Sequence, residues 1–334
     1  MLMRRSTRDI LFVSGLTIFF FTLRWLLPES IDQHLWGADG WFMADLVEGV
    51  ESYPFPLYYR SLLAVWIDRL IYLLFSPLGI SGWYAISISS SLAGAIAVMA
   101  LWRINQDFLF IIINVFCGSF IVLIGHVENY AWVNAFLILS FLGVQRWLDN
   151  RWKVWPAFVF LALACLSHML AVFYAPAYIY LLYKNRNFDP KEVLLPVIGF
   201  TMIIVVLSLG FDLMGTDNGL ERLVPWGRIW AKNQFFTFLS SRHLEMLLYF
   251  HHRAAFLGIP LEIPLLLILW KRIDTVFLRF LGICVLCGLA WTTLWHPDWG
   301  MRDWDLFSQF GISLHILLGL LVRSKWRNST TSVS

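Results

Sequence analysis

Ile80-Ser-Gly-Trp-Tyr-Ala-Ile-Ser-Ile-Ser-Ser-Ser-Leu-Ala-Gly-Ala-Ile-Ala-Val-Met-Ala-Leu-Trp102 runs for 23 residues without a charged side chain and stops at Arg103. A helix needs about 20 apolar residues to cross the hydrocarbon core of a bilayer. Nine further stretches share this character, giving ten candidate spans at 10–27, 80–102, 107–125, 130–148, 154–168, 169–183, 192–213, 254–270, 275–295 and 306–322. The whole chain is 59% hydrophobic and 14% charged, with a mean hydropathy of +0.68. A soluble domain carries about a quarter charged residues, so the composition excludes one. It predicts an all-α integral membrane protein. The short fifth and sixth stretches read as a hairpin that turns at Ser167-His168, and the first as an uncleaved span.

Counting basic residues orients the spans, because cytoplasmic loops are enriched in Lys and Arg. With the N-terminus cytoplasmic, the inner segments hold Arg4, Arg5, Arg8, Arg103, Arg146, Arg151, Lys153, Lys184, Arg186, Lys191, Lys271, Arg272, Arg323, Lys325 and Arg327, which is 15 of the 25 Lys and Arg. Both termini then face the cytoplasm. Residues 56–76 are apolar enough to span but contain Arg60, Asp68 and Arg69. A crossing there would turn the basic loops outward, so 28–79 reads as one long outer loop with amphipathic helices lying in the interface. The other long outer loops are 214–253 and 296–305. The chain divides by pattern into a module at 1–185, a second transmembrane module at 186–327 and a polar tail at 328–334. Cys117, Cys165, Cys284 and Cys287 lie inside apolar runs and read as packing residues.

The acidic and histidine residues then fall mostly on the outer side. They sit in Trp36-Gly-Ala-Asp39-Gly-Trp41, in Gly125-His126-Val-Glu128-Asn-Tyr130, at Ser167-His168, and in His296-Pro-Asp298-Trp-Gly-Met-Arg302-Asp303-Trp-Asp305. Ionisable groups are costly in bilayers and mark function by default. Several separated segments bringing carboxylates to one rim read as a site.

The first half of the chain resembles the C-type glycosyltransferase superfamily. The resemblance rests on three features. Asp39 lies in a long loop after the first span, followed by the Pro-rich Tyr53-Pro-Phe-Pro56-Leu-Tyr-Tyr59. Glu128-Asn-Tyr130 stands at the outer end of the third span. Paired short helices meet at His168. It covers roughly residues 1–185. It implies a polytopic enzyme that takes a sugar from a polyprenyl-phosphate donor and transfers it to a glycan, lipid or protein acceptor at the extracytoplasmic face of the cell or inner membrane, or of the endoplasmic reticulum. The sequence departs from the pattern in two places: many relatives carry adjacent acidic residues where Asp39 stands alone, and lysine is common at the position of His168.

Such a transfer needs a base for the acceptor hydroxyl and cationic donors for the leaving phosphate. Asp39 is the candidate base, with Trp36 and Trp41 as faces for a sugar. Glu128, beside His126, is the candidate to position the acceptor or to join Asp39 around a divalent cation, Mg or Mn. His168, Arg242, His243 and Arg302 are candidate phosphate contacts, and Asp303 and Asp305 candidate acceptor ligands. Each has a structural alternative. Asp39 would cap the helix that begins near Phe42, Glu128 would tie helix ends together, and Asp305 would favour the start of the last helix through its dipole. At the level of function, the rivals are a transporter or flippase of lipid-linked glycan, a lipid-glycan polymerase or ligase, and a non-catalytic scaffold.

The orientation has a direct readout. Single cysteines introduced as Asp39→Cys, Glu128→Cys or Asp305→Cys, in a background lacking the four native ones, should react with an impermeant maleimide on intact cells. Labelling that requires permeabilisation would overturn the arrangement.

Overall fold

The computed structural model describes residues 2–26, 40–50, 61–185, 188–212, 223–230, 234–254, 259–297 and 305–331. Among the described residues there are thirteen α-helices and no strand: α1 (Leu2–Leu26), α2 (Gly40–Glu48), α3 (Leu62–Phe75), α4 (Gly82–Ile104), α5 (Phe108–Val115), α6 (Tyr130–Leu148), α7 (Trp155–Ser167), α8 (Ala175–Lys184), α9 (Pro190–Asp212), α10 (Ser241–Ala254), α11 (Ile259–Leu269), α12 (Val276–Leu294) and α13 (Ser308–Thr331). Five stretches are long and apolar enough to cross a bilayer: Thr7–Leu26, Gly82–Ile104, Tyr130–Leu148, Val276–Leu294 and Asp305–Val322. The chain is thus an all-α membrane protein of multi-pass character.

The candidate spans at 107–125 and 169–183 are not continuous α-helices. The first is α5 followed by an irregular stretch and a 3-10 segment at Gly118–Leu123. The second is a 3-10 segment at Met169–Tyr174 leading into α8. Local chemistry sets several helix starts. The Asp107 carboxylate accepts from the backbone N–H groups of Leu109 and Phe110 at 2.9 and 3.3 Å, and the Thr275 hydroxyl accepts from Leu278 N–H at 3.1 Å. These bonds satisfy orphan donors of the first turn. Pro156 and Pro176 sit in the first turns of α7 and α8, where a missing N–H is harmless.

The chain forms two compact units that interleave along the sequence. One comprises residues 1–103, 121–171 and 189–215, the other 104–120, 172–188 and 216–334. In the first unit α6 packs along α7, and α7 also meets α3 and α9. The Ser140 hydroxyl donates to the Ala157 carbonyl at 2.6 Å across the α6–α7 seam. Arg103, at the end of α4, pairs with Asp9 near the start of α1 at 2.7 Å. At the other ends of the same helices the rings of Trp25 and Tyr84 lie 4.8 Å apart. Helices α1 and α4 are therefore antiparallel neighbours, and the segment between them, with α2 and α3, leaves and returns at one end of the pair.

In the second unit α12 packs against α13 and α8, and α13 against α5. Aromatic edges fill these seams: Phe173 on Trp291, Tyr178 on Phe280 and Phe250 on Phe307, with centroids 4.9, 5.2 and 4.2 Å apart. Tyr174 donates from its hydroxyl to the Gln309 carbonyl at 3.0 Å. All four cysteines are free thiols and buried.

One contact fixes the path of the chain ahead of α6. The backbone of Gly94, midway along α4, lies against the Leu123 carbonyl so closely that a Cβ would overlap its oxygen. Gly94→Ala should therefore lower stability by about 1–3 kcal/mol, the usual cost of overpacking, measured by thermal unfolding in detergent. Gly282→Ala is the control, because nothing lies within 4 Å of a Cβ there, and helix propensity alone should make it neutral or stabilising.

Candidate functional site

The residue after Asp39 is Gly40, which opens α2. A Cβ on Gly40 would stand 2.9 Å from the Trp83 ring and 3.0 Å from the Val127 carbonyl. Only glycine lets α2 begin this close to the segment that precedes Glu128. Apolar burial holds the arrangement: Met43, Ala44, Leu46 and Val47 of α2, Val65 of α3, Ile86 of α4 and Val127 form one cluster. Two polar clamps reinforce it. The Glu48 carboxylate accepts from Gly82 N–H at 2.5 Å, and Arg69 donates to the Val47 carbonyl. Trp41 projects from the first turn, 72% exposed, with its ring 4.7 Å from that of Trp83. It is a supported flat apolar face, as a sugar platform requires.

His126 and Glu128 lie on the stretch that runs back along α4 after Leu123. The Ser90 hydroxyl donates to the His126 carbonyl at 2.5 Å. Both side chains are buried, and a ring nitrogen of His126 lies within 4.8 Å of a Glu128 carboxylate oxygen. An imidazole and a carboxylate at this spacing can share a cation or a proton. His168 is the C-cap of α7, where the helix gives way to the 3-10 segment. Its Nδ1 accepts from Leu170 N–H at 3.3 Å, so in the neutral ring the proton sits on Nε2. The ring packs beside Tyr130, centroids 5.3 Å apart.

Trp36, Asp39, Arg302 and Asp303 lie outside the described residues. In the second unit the Asp305 carboxylate is buried and accepts from Leu306 N–H at 2.9 Å. Arg242 and His243 are successive residues of α10, about 100° apart around the helix. Arg242 is exposed. His243 is buried and accepts on Nδ1 from Leu239 N–H at 2.9 Å; burial holds it below the usual imidazole range. Its neighbour on the same helix, His251, is pushed down to about 4 by burial and meets the Thr292 hydroxyl at 2.7 Å. His296 spends both ring nitrogens on backbone, accepting from Phe235 N–H at 2.9 Å and meeting the Pro297 carbonyl at 2.9 Å. With Phe236 stacked on both His243 and His296, these rings fasten residues 235–243 to the end of α12.

Sequence reading missed a buried polar relay beneath the site. The Trp132 indole N–H donates to the Ser89 hydroxyl at 2.8 Å, and Ser89 bonds the Asp68 carboxyl. The relay joins α6, α4 and α3. The signal was present: Ser87, Ser89, Ser90 and Ser91 crowd together in α4, and Asp68, beside Arg69, stands in a largely apolar helix. Asp68 is 1% exposed, and burial raises its carboxyl from 3.8 to about 8, with the Ser89 bond opposing. Between those values the folded state holds a proton that the unfolded state has lost, so this group makes stability fall as pH rises from about 4 to 8. Asp68→Asn should remove that slope. Its unfolding temperature should match the parent at pH 4–5 and exceed it increasingly toward pH 8; parallel curves would contradict a buried neutral carboxyl. No protein-family model, no curated protein and no solved structure matches the chain.

Proposed function

We propose that this protein is a membrane glycosyltransferase. It has ten spans and cytoplasmic termini, and it moves a sugar from a polyprenyl-phosphate donor to a hydroxyl acceptor at the extracytoplasmic face. The observation that carries the reading is the approach of Gly40 to the Val127 carbonyl. It sets the residue that follows Asp39 against the residue that precedes Glu128, linking two of the three segments on which the family resemblance rests.

In this reading the transfer is a single inverting displacement. The Asp39 carboxylate takes the acceptor proton as the oxygen attacks the anomeric carbon, and the carbon–oxygen bond to phosphate breaks on the opposite face. Polyprenyl phosphate leaves with the electron pair and needs no general acid. His168 donates to it from Nε2, and Arg302 and Arg242 are the cations available to it from the outer loops. Trp41 and Trp36 present faces to the sugar. Glu128 orients the acceptor, and Asp303 and Asp305 belong to the acceptor side. A divalent cation, if the enzyme uses one, would be held by Glu128 and His126 with Asp39. Because imidazole is a poor ligand for Mg²⁺, that donor set suits Mn²⁺ better.

Purified protein incubated with a panel of polyprenyl-phosphate sugars should consume one of them. Asp39→Asn should then lose at least about a hundredfold in turnover, the usual contribution of a positioned base, at unchanged expression. Unchanged turnover would remove Asp39 from the role, and a panel left intact would reject the transferase.

A second reading is a flippase for lipid-linked glycan, favoured by the α-helical breaks at 116–129 and 168–174, because discontinuous helices line the sites of transporters. It predicts movement of intact substrate across proteoliposomes with no covalent change.

A further inference from the structure

At the end of the first unit that carries Arg103, Arg146 and Asp9, a cavity of about 480 Å³ opens between the α6–α7 turn and α7, lined by Arg151, Trp152, Lys153, Trp155, Pro156, Val159 and Phe160. We propose that it binds the headgroup and first acyl carbons of an anionic phospholipid from the leaflet bordering the basic loops. The site is separate from the transferase chemistry and does not depend on it.

The cavity has two chemically distinct ends. Arg151 and Lys153 stand at the rim, their side chains 64% and 75% exposed. Their protein partners are weak holders. Asp149 lies 4.0 Å from Arg151, and Glu192 lies 3.1 Å from Lys153 while also accepting from Val154 N–H at 3.4 Å. Exposed pairs of this kind contribute little, so a phosphate can take over both cations. Arg146 donates to the Arg103 carbonyl at 2.6 Å, so these two cations add to the positive charge at this end of the unit.

The inner wall is apolar and belongs to α7. Trp155 and Val159, and Pro156 and Phe160, are pairs four residues apart, which lie along one helix face. They form a strip running from the cations into the apolar length of the helix. Trp152 and Trp155 are 43% and 49% exposed and stand beside the cations, as indoles do at headgroup level. A soluble anion would use the rim and leave the strip uncovered; a zwitterionic lipid would cover the strip and leave the excess charge. An anionic lipid satisfies both, in the manner of basic pockets between spans on the cytoplasmic side.

The test uses the full chain purified in detergent and mixed with phosphatidylglycerol and phosphatidylcholine of matched chains, with bound lipid counted by native mass spectrometry. The parent should retain phosphatidylglycerol preferentially. Arg151→Gln with Lys153→Gln should weaken that retention roughly fivefold per cation. Glu192→Gln, which frees Lys153, should strengthen it. Val159→Trp, which fills the strip without changing charge, should lower retention of both lipids while the protein stays monodisperse. Equal retention of the two lipids by the parent, or an unchanged preference in the double variant, would overturn the proposal. So would displacement of lipid by millimolar inorganic phosphate, which would reassign the rim to a soluble anion.

Discussion

The backbone contact between Gly94 and Leu123 governs how the first unit is built. A continuous α-helix over 107–125 would satisfy every peptide group internally. The chain instead leaves α-helical geometry after Val115 and passes back along α4 in 3-10 and irregular form. Non-helical backbone at membrane depth is tolerated only where protein buries it. Burial here is close: Phe120, Val122, Leu123 and Val127 are fully inaccessible, and Gly94 lets the strand of chain sit flush on α4 with no intervening side chain. The polar run that follows thereby lands inside the protein rather than in a surface loop. His126 and Glu128 are buried because the backbone that carries them is.

That placement asks for polar partners, and α4 supplies them with serines. Ser90 serves the His126 carbonyl, and Ser91 returns its hydroxyl to the Ser87 carbonyl within the helix. Ser89 takes the Trp132 indole and bonds Asp68. Serine is a weak helix former in water, yet in a buried, apolar setting each hydroxyl offers a hydrogen bond that would otherwise be missing, and an unmet buried group is what costs most. Asp68 makes the same point from the other side. Its carboxyl remains buried at near-neutral pH by keeping its proton, which avoids burying a charge. The relay from α3 through α4 to α6 ties α3 to the first turn after Glu128, so two segments far apart in sequence share one floor.

Much of the architecture was legible in the chain. The apolar runs over 80–102 and 130–148 became α4 and α6, because length and hydropathy decide such segments. Residues 56–76 read as part of an outer loop because they hold Arg60, Asp68 and Arg69 and because a crossing there would turn the basic loops outward; the described helix there is Leu62–Phe75, with its Arg69 bonded back to α2. What hydropathy could not show was helix continuity. The run 107–125 is apolar throughout, but its α-helix stops after Val115, which a count of apolar residues does not register. The interleaving of the two units is equally invisible, since it depends on which faces meet and not on their order in the chain. Among the site residues, the roles of His168 and His296 separate only in three dimensions. One accepts from the main chain on Nδ1; the other commits both nitrogens to it.

The distribution of polar side chains along α4 bears on which function such a floor serves. A path for substrate through the membrane needs polar groups along the whole length of the helices that line it. On α4 they occupy Ser87 to Ser91 and then cease: Ala95, Ile96, Ala97, Val98, Met99, Ala100, Leu101 and Trp102 carry no hydrogen-bonding side chain apart from the terminal indole. At 1.5 Å per residue the polar half ends about where Gly94 meets Leu123. At the far end of α4 stands the Asp9–Arg103 pair. Buried acid, imidazole and hydroxyls thus gather along the half of α4 that also carries the approach of Gly40 to Val127, which is the one-sided placement that the proposed transfer requires.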